Sequence, residues 1–221
     1  MTNFKKLCAF TLSELLLSLT IVGVISVLTV PVIVGNVQKK LFATKLKNTV
    51  TMIEQVAQQE MIRHHTRNLM NTDFSDPEKL LSDKHFSIAK ICPASTASRD
   101  CWKTTATGKN KVVYRRINKA VVTINAGYTV ILKNGIMLRY TLDNLQGIVG
   151  IFYIDINGND KPNILGHDTY SFYITNKGFI VDKSYLDQKE YSLSERIDKC
   201  KNISIYYCYG ALVNSGWKMD Y

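Results

Sequence analysis

Charge is almost missing from the start of this 221-residue sequence. Between Phe10 and Gly35, "FTLSELLLSLTIVGVISVLTVPVIVG", the only formally charged side chain is Glu14. The run exceeds the ~20 residues that cross hydrocarbon, so it reads as a membrane helix. A small-residue cleavage site is missing as well, since "NVQKK" follows the run. A secretory signal has an apolar region of only roughly 7–15 residues before such a site, which argues against removal at that point. Catalytic signatures are absent: there is no GxSxG, no P-loop and no HExxH, and no cysteine stands with a histidine outside two close cysteine pairs. The chain reads as a non-enzyme. Acidic residues are few, 18 against 28 basic ones, for a formal charge of +10. Even so, no helix carries a Lys/Arg face and no aromatic-basic motif is present, so nucleic acid is not an expected partner. The scattered surplus suits anionic lipid headgroups instead. Internal repeats and low-complexity tracts are lacking too.

Of the five cysteines, Cys8 precedes the apolar run, while Cys92, Cys101, Cys200 and Cys208 follow it in two close pairs. Neither pair has CxxC spacing and no histidine adjoins them, which disfavours zinc. Paired cysteines suit an oxidising compartment, placing the body of the chain outside the cytoplasm. Four cysteines allow three pairings, of which Cys92–Cys101 with Cys200–Cys208 is the simplest. Basic residues do not fix the orientation, because Lys5 and Lys6 precede the run and Lys39, Lys40, Lys45 and Lys47 follow it.

Beyond the run, Val37, Leu41, Val50, Ile53, Ala57 and Met61 recur at largely helical steps, extending one helix to about Leu69. His64 and His65 diverge by ~100° on a helix, cannot face one metal together, and read as solvated. "NTDFSDP" breaks the helix, with Asn71, Asp73 and Ser75 offering caps and Pro77 suiting a first turn. A short helix is expected over 78–91, then a polar surface loop, "PASTASRDCWKTTATGKN". After it the period becomes two. "KAVVTI", "YTVILKNGIMLRYTL", "GIVGIFYIDI" and "YSFYITNKGFIVD" read as strands, with hairpin turns at Asn134-Gly135 and Lys177-Gly178. A long helix followed by antiparallel strands is an α+β layout.

The N-terminus carries a resemblance. A basic leader, "MTNFKKLCA", precedes Phe10; "TLSE" follows it, and Pro31 lies twenty-one residues beyond Phe10. This resembles the start of a type IV prepilin or a type II secretion pseudopilin. The resemblance implies a pilin-like fold, a long helix packed on a C-terminal antiparallel sheet. It implies a leader over 1–9, a transmembrane and assembly helix over 10–35, an amphipathic continuation over 36–70 and a globular head over 71–221. It further implies cleavage by a prepilin peptidase between Ala9 and Phe10, N-methylation of Phe10, and assembly roles for Glu14 and Pro31. The family usually has glycine where this chain has Ala9. The implied partners are the peptidase, inner-membrane lipid and other pilin or pseudopilin subunits in a helical filament. The implied location is the bacterial inner membrane with an extracytoplasmic head, then a pilus or pseudopilus.

A carboxylate in lipid is costly and needs a partner. The cationic terminus of a neighbour's Phe10 is one; the other reading is that Glu14, a turn from the helix end, reaches the headgroups. The alternative function is a single-pass membrane-anchored binding module or adhesin. One loop, "DINGNDKPNILGHD", gathers Asp155, Asn157, Asn159, Asp160 and Asp168, hard oxygen donors suited to calcium. It is not an EF-hand, since Gly158 comes too early and Gly166 stands where a bidentate Glu belongs. The competing reading is a strand-ending turn in which Asp and Asn cap their own backbone.

Overall fold

The computed structural model describes residues 11–221 except Ala106 and Ala126. The proposed cut between Ala9 and Phe10, and Cys8, lie outside the described residues. The chain divides into a unit ending at Lys39 and a second, Lys40–Tyr221. Helix α1, Leu12–Arg63, contributes to both. It stops six residues before Leu69. His64 donates to the Glu60 carbonyl, but His65 turns left-handed at φ 49°, which ends the helical hydrogen bonding.

In the second unit the helix buries Phe42, Ala43, Leu46, Thr49, Val50, Ile53, Val56, Ala57 and Glu60, a stripe at three- and four-residue steps. Val50, Ile53 and Ala57 were expected there. Leu41 is instead exposed, and so is Val37 in the first unit. Phe42 and Leu46 take the inward positions there, because Leu41 and Val50 stand nine residues apart and so lie on opposite faces of the helix.

The segment after the helix is capped, though not by Asn71, Asp73 and Ser75. The caps are Asn68, Thr72 and Asp76, each accepting from a backbone N–H two residues on. Pro77 does open a helix, α2 (Pro77–Leu80), but that helix lasts only four residues. The helix expected over 78–91 is otherwise absent: β1, Ile88–Cys92, is a strand. Its residues satisfy their backbone groups on β4 (Thr129–Leu132), a long-range pairing that overrides local helix preference.

The strands form an antiparallel sheet. The Asn134-Gly135 turn joins β4 to β5 (Met137–Leu142), which pairs with β6 (Ile148–Asp155), β7 (Thr169–Thr175) and β8 (Ile180–Val181) in order, with β1 outside β4. The expected strand in "KAVVTI" shrinks to β3 (Val121–Val122), paired only with β2 (Tyr114–Arg115).

Strand alternation splits the core. Val130, Leu138, Tyr140, Phe152, Ile154, Tyr170, Phe172 and Ile174 join the helix stripe in one cluster. Tyr140, Phe152 and Phe172 are cross-strand neighbours, with ring centroids 4.7 and 5.8 Å apart. A Cβ on Gly150 would lie 2.4 Å from the Tyr140 ring, so only glycine fits beside that row. Met137 and Leu165 pack on the other face with Cys92, Ala97, Cys101, Trp102 and Tyr114. The "PASTASRDCW" stretch is therefore only partly a surface loop. It forms a single helical turn, α3 (Ala97–Asp100), and sinks Trp102 completely, with its indole N–H on Thr129 Oγ1 at 3.1 Å.

Past β8 the chain is helical, a region the strand reading leaves unassigned: α4 (Lys183–Asp187), α5 (Leu193–Asn202) and α6 (Cys208–Asn214). Cys200, Ala211 and Leu212 enter the same cluster as the helix stripe. The protein is thus α+β, with a long, initially apolar N-terminal helix packed on an antiparallel sheet.

Candidate functional site

The first unit presents hydrocarbon and little else. From Leu12 to Val34 the large apolar side chains are more than half exposed. The segment is long and apolar enough to cross a membrane, and none of it is buried against protein. Three of its hydroxyls are turned back on the helix: Ser18, Thr20 and Thr29 donate to the carbonyls of Leu15, Leu17 and Ile25 at 2.7–2.9 Å. A hydroxyl satisfied by its own helix costs little in lipid. Pro31 sits inside α1, and the helix continues on both sides of it despite the missing N–H.

Glu14 has a local partner that the sequence reading overlooked. Thr11 stands just before the helix. Its N–H donates to Glu14 Oε2 at 2.9 Å and its hydroxyl to the same oxygen at 2.8 Å, while Glu14 N–H donates back to Thr11 Oγ1 at 3.3 Å. This is a reciprocal capping box, and "TLSE" has its T-x-x-E signature. That signal was available in the sequence. The same device opens α5, where Ser192 and Glu195 exchange the equivalent bonds. The carboxylate also lies in the helix's first turn, where the macrodipole favours negative charge.

The oxygen-rich loop joins β6 to β7, and most of the residues expected there come together. Asp155 ends β6 and is paired across the sheet with Thr169, the first residue of β7. Both acids, Asp155 and Asp168, are fully buried. Asp155 accepts from Tyr114 Oη at 2.7 Å and from Asn157 N–H at 3.3 Å. Asp168 accepts from the N–H groups of Asn163 and Ile164 at 2.6 and 2.7 Å. Thr169 Oγ1 lies 3.4 Å from an oxygen of each acid, linking them. Asp160 does not join: its side chain is exposed, and only its carbonyl is used, by the Asn157 amide at 2.8 Å.

Asn157, Asn159 and Asn163 spend their amide N–H groups on backbone carbonyls. Their side-chain oxygens are buried without a partner. A buried acceptor left unmade costs about 1–3 kcal/mol, so three in one loop call for an explanation. Asn163, 5% exposed and in the left-handed region at φ 53°, was not singled out from sequence although it lies in the quoted loop.

Burial pushes Asp155 well above the usual carboxylate range, and the neighbouring Asp168 charge adds to it. Burial likewise pushes Asp168 up to about 6, against the hydrogen bonds it receives. Two buried acids and three orphaned amide oxygens in one loop are hard oxygen donors of the kind calcium takes. Asp155, Asp168, Asn157, Asn159 and Asn163 are the residues that would hold it. The backbone caps expected from the competing reading are present as well, so the acids order the loop whether or not a cation is bound.

The four cysteines of the head pair as the simplest scheme has it. Cys92 and Cys101 are bonded with Cα atoms 6.2 Å apart, and Cys200 and Cys208 with Cα atoms 4.7 Å apart. The second disulfide borders the oxygen-rich loop: a Cβ on Gly166 would meet both of its sulfurs. No protein-family model, curated protein or solved structure matches the chain.

Proposed function

We propose that this chain is a structural subunit of a filament: a pilin, minor pilin or pseudopilin of a type IV pilus or a type II secretion pseudopilus. In this reading a prepilin peptidase cuts between Ala9 and Phe10 and methylates the new terminus. Residues 12–34 first hold the subunit in the inner membrane and then pack against the same segments of neighbouring subunits. The observation that carries the reading is an apolar helical segment, exposed along its length, that begins with a carboxylate in its first turn. Such a surface needs either lipid or other apolar helices around it. The head, with two disulfides and a packed sheet, suits an extracytoplasmic location.

The second reading, a single-pass anchor for a binding module, draws on the capping box. Thr11 already satisfies Glu14, so the carboxylate has a use without any neighbour.

Mass spectrometry of the N-terminal peptide from membrane-extracted protein tests the processing step. The proposal expects N-methylated Phe10 as the first residue. An intact Met1 terminus, or a cut near Gly35, would overturn it.

A further inference from the structure

The end of α1 carries a second cluster of ligating groups, remote in sequence from the oxygen-rich loop. Glu60 and His64 stand four apart on one helical face, so their side chains meet. The chain then turns through Thr72, and the N–H of Asp73 donates to Glu60 Oε2 at 3.1 Å, which brings the Asp73 carboxylate alongside. His85 arrives from the turn before β1 and is 5% exposed at its side chain. Glu60 is 2% exposed and Asp73 15%.

The separations have a definite pattern. His64 Nε2 lies 3.4 Å from Glu60 Oε2 and 3.8 Å from Asp73 Oδ1; His85 Nε2 lies 3.6 Å from Glu60 Oε1 and 3.2 Å from Asp73 Oδ2, the opposite oxygens. A tetrahedral zinc ion with bonds of about 2.0–2.1 Å holds neighbouring ligand atoms about 3.3 Å apart. His64 thus stands from one oxygen of each carboxylate at close to the edge length of a zinc tetrahedron, while His85 meets the outer oxygens. Glu60, His64 and Asp73 alone already place one ligand atom each within 4.8 Å of the others.

Two basic side chains also reach the cluster. Arg63 Nη2 contacts Glu60, and lies 2.9 Å from Asp73 Oδ2 and 3.3 Å from His64 Nε2. Lys84 Nζ lies 2.8 Å from Asp73 Oδ2. A single guanidinium nitrogen therefore occupies the space that Glu60, Asp73 and His64 surround. Arg63 and His64 are partly exposed, at 37% and 36%, so the guanidinium has a route to solvent.

We propose that Glu60, His64 and Asp73 form a site for a zinc-class divalent cation, with the Arg63 guanidinium and the metal as alternative occupants. Three protein ligands leave the fourth position to water, and His85 holds the outer oxygens of both carboxylates as an orienting partner. The dication would take the place of the Arg63 charge between two carboxylates, with Lys84 still on Asp73. The metal would tie the last turn of α1 to the segment leading into β1. His65 takes no part, because its ring leaves the helix one residue later, where the backbone has turned left-handed.

The test uses the full chain in detergent, stripped with a chelator and titrated with zinc by calorimetry. Cobalt serves as a spectroscopic stand-in that reports tetrahedral coordination. The expected result is one metal per chain with tetrahedral cobalt bands. His64→Ala should weaken binding at least about tenfold, a loss of the order seen when metal sites are perturbed. His65→Ala should leave binding unchanged, and Arg63→Gln should tighten it by removing the competing cation. His64 is partly exposed, so His64→Ala tests the site even if His85→Ala fails to fold. Absence of saturable binding, or equal affinity for wild type and His64→Ala, would overturn the proposal. So would weaker binding in Arg63→Gln.

Discussion

Asp155 and Asp168 show how two side chains acquire meaning only through what surrounds them. In the sequence they are two acids in a turn-rich loop. In the fold both are buried and linked through Thr169, in a loop whose asparagine side-chain oxygens have no donor. An acid whose folded pKa is raised contributes most to stability while protonated, and that contribution is lost as pH rises through the folded value. With Asp168 pushed up to about 6 by burial, the cation-free head should lose stability between about pH 4 and pH 6. A shift of about two units corresponds to roughly 3 kcal/mol. Calcium should offset that loss above pH 6, where the carboxylate is ionised, and should do little at pH 4. Asp168→Asn should remove the loss between about pH 4 and pH 6, leaving that of the buried Asp155 at higher pH, and should remove the calcium effect. Thermal melts with calcium and with a chelator, across this pH range, check both arms. A melting temperature indifferent to calcium at pH 7.5 would leave the acids as loop caps alone.

At the scale of elements, legibility followed the range of the interactions. The Asn134-Gly135 and Lys177-Gly178 hairpins were readable because turn chemistry and two-residue alternation are local. The strand β1 was not readable: its partner β4 lies about forty residues away, and nothing within 78–91 announces that pairing. The caps after α1 were read at the right place with the wrong residues, since Asn, Thr, Asp and Ser crowd the stretch and only geometry chooses Asn68, Thr72 and Asp76. The α1 stripe was legible from Val50 onward but not at Val37 and Leu41, which lie on the opposite face from Val50, so Phe42 faces inward instead of Leu41. The difference is measurable. Ile53→Ala, at a fully buried position, should destabilise the head by about 2–5 kcal/mol. Leu41→Ala, half exposed, should change stability by no more than about 0.5 kcal/mol. Chemical denaturation of the detergent-solubilised protein distinguishes the two, and equal losses would refute the observed phase.

For the whole molecule, the sequence marked the apolar segment and Glu14 clearly, but not what Glu14 does by itself. "TLSE" is legible as a capping box by its T-x-x-E spacing, a role separate from the acid's charge in lipid. The cysteine pairs were legible as neighbours, whereas the histidine, glutamate and aspartate cluster at the end of α1 was not, because its four members span Glu60 to His85 and meet only through the fold. The capping box sharpens the test of assembly. Glutamine serves at the third helical position of a capping box much as glutamate does, so Glu14→Gln keeps the cap and removes the charge, while Glu14→Ala removes both. If Glu14 pairs with a neighbour's cationic terminus, either variant leaves that cation unpaired in a low-dielectric setting, which disfavours assembly. The deciding measurement is the amount of each variant in the sheared or purified filament fraction, relative to its amount in the membrane. The account predicts that Glu14→Gln is excluded from filaments nearly as strongly as Glu14→Ala, with both still inserted and both heads still oxidised. Incorporation of Glu14→Gln at the wild-type level would contradict it and leave Glu14 with its cap alone.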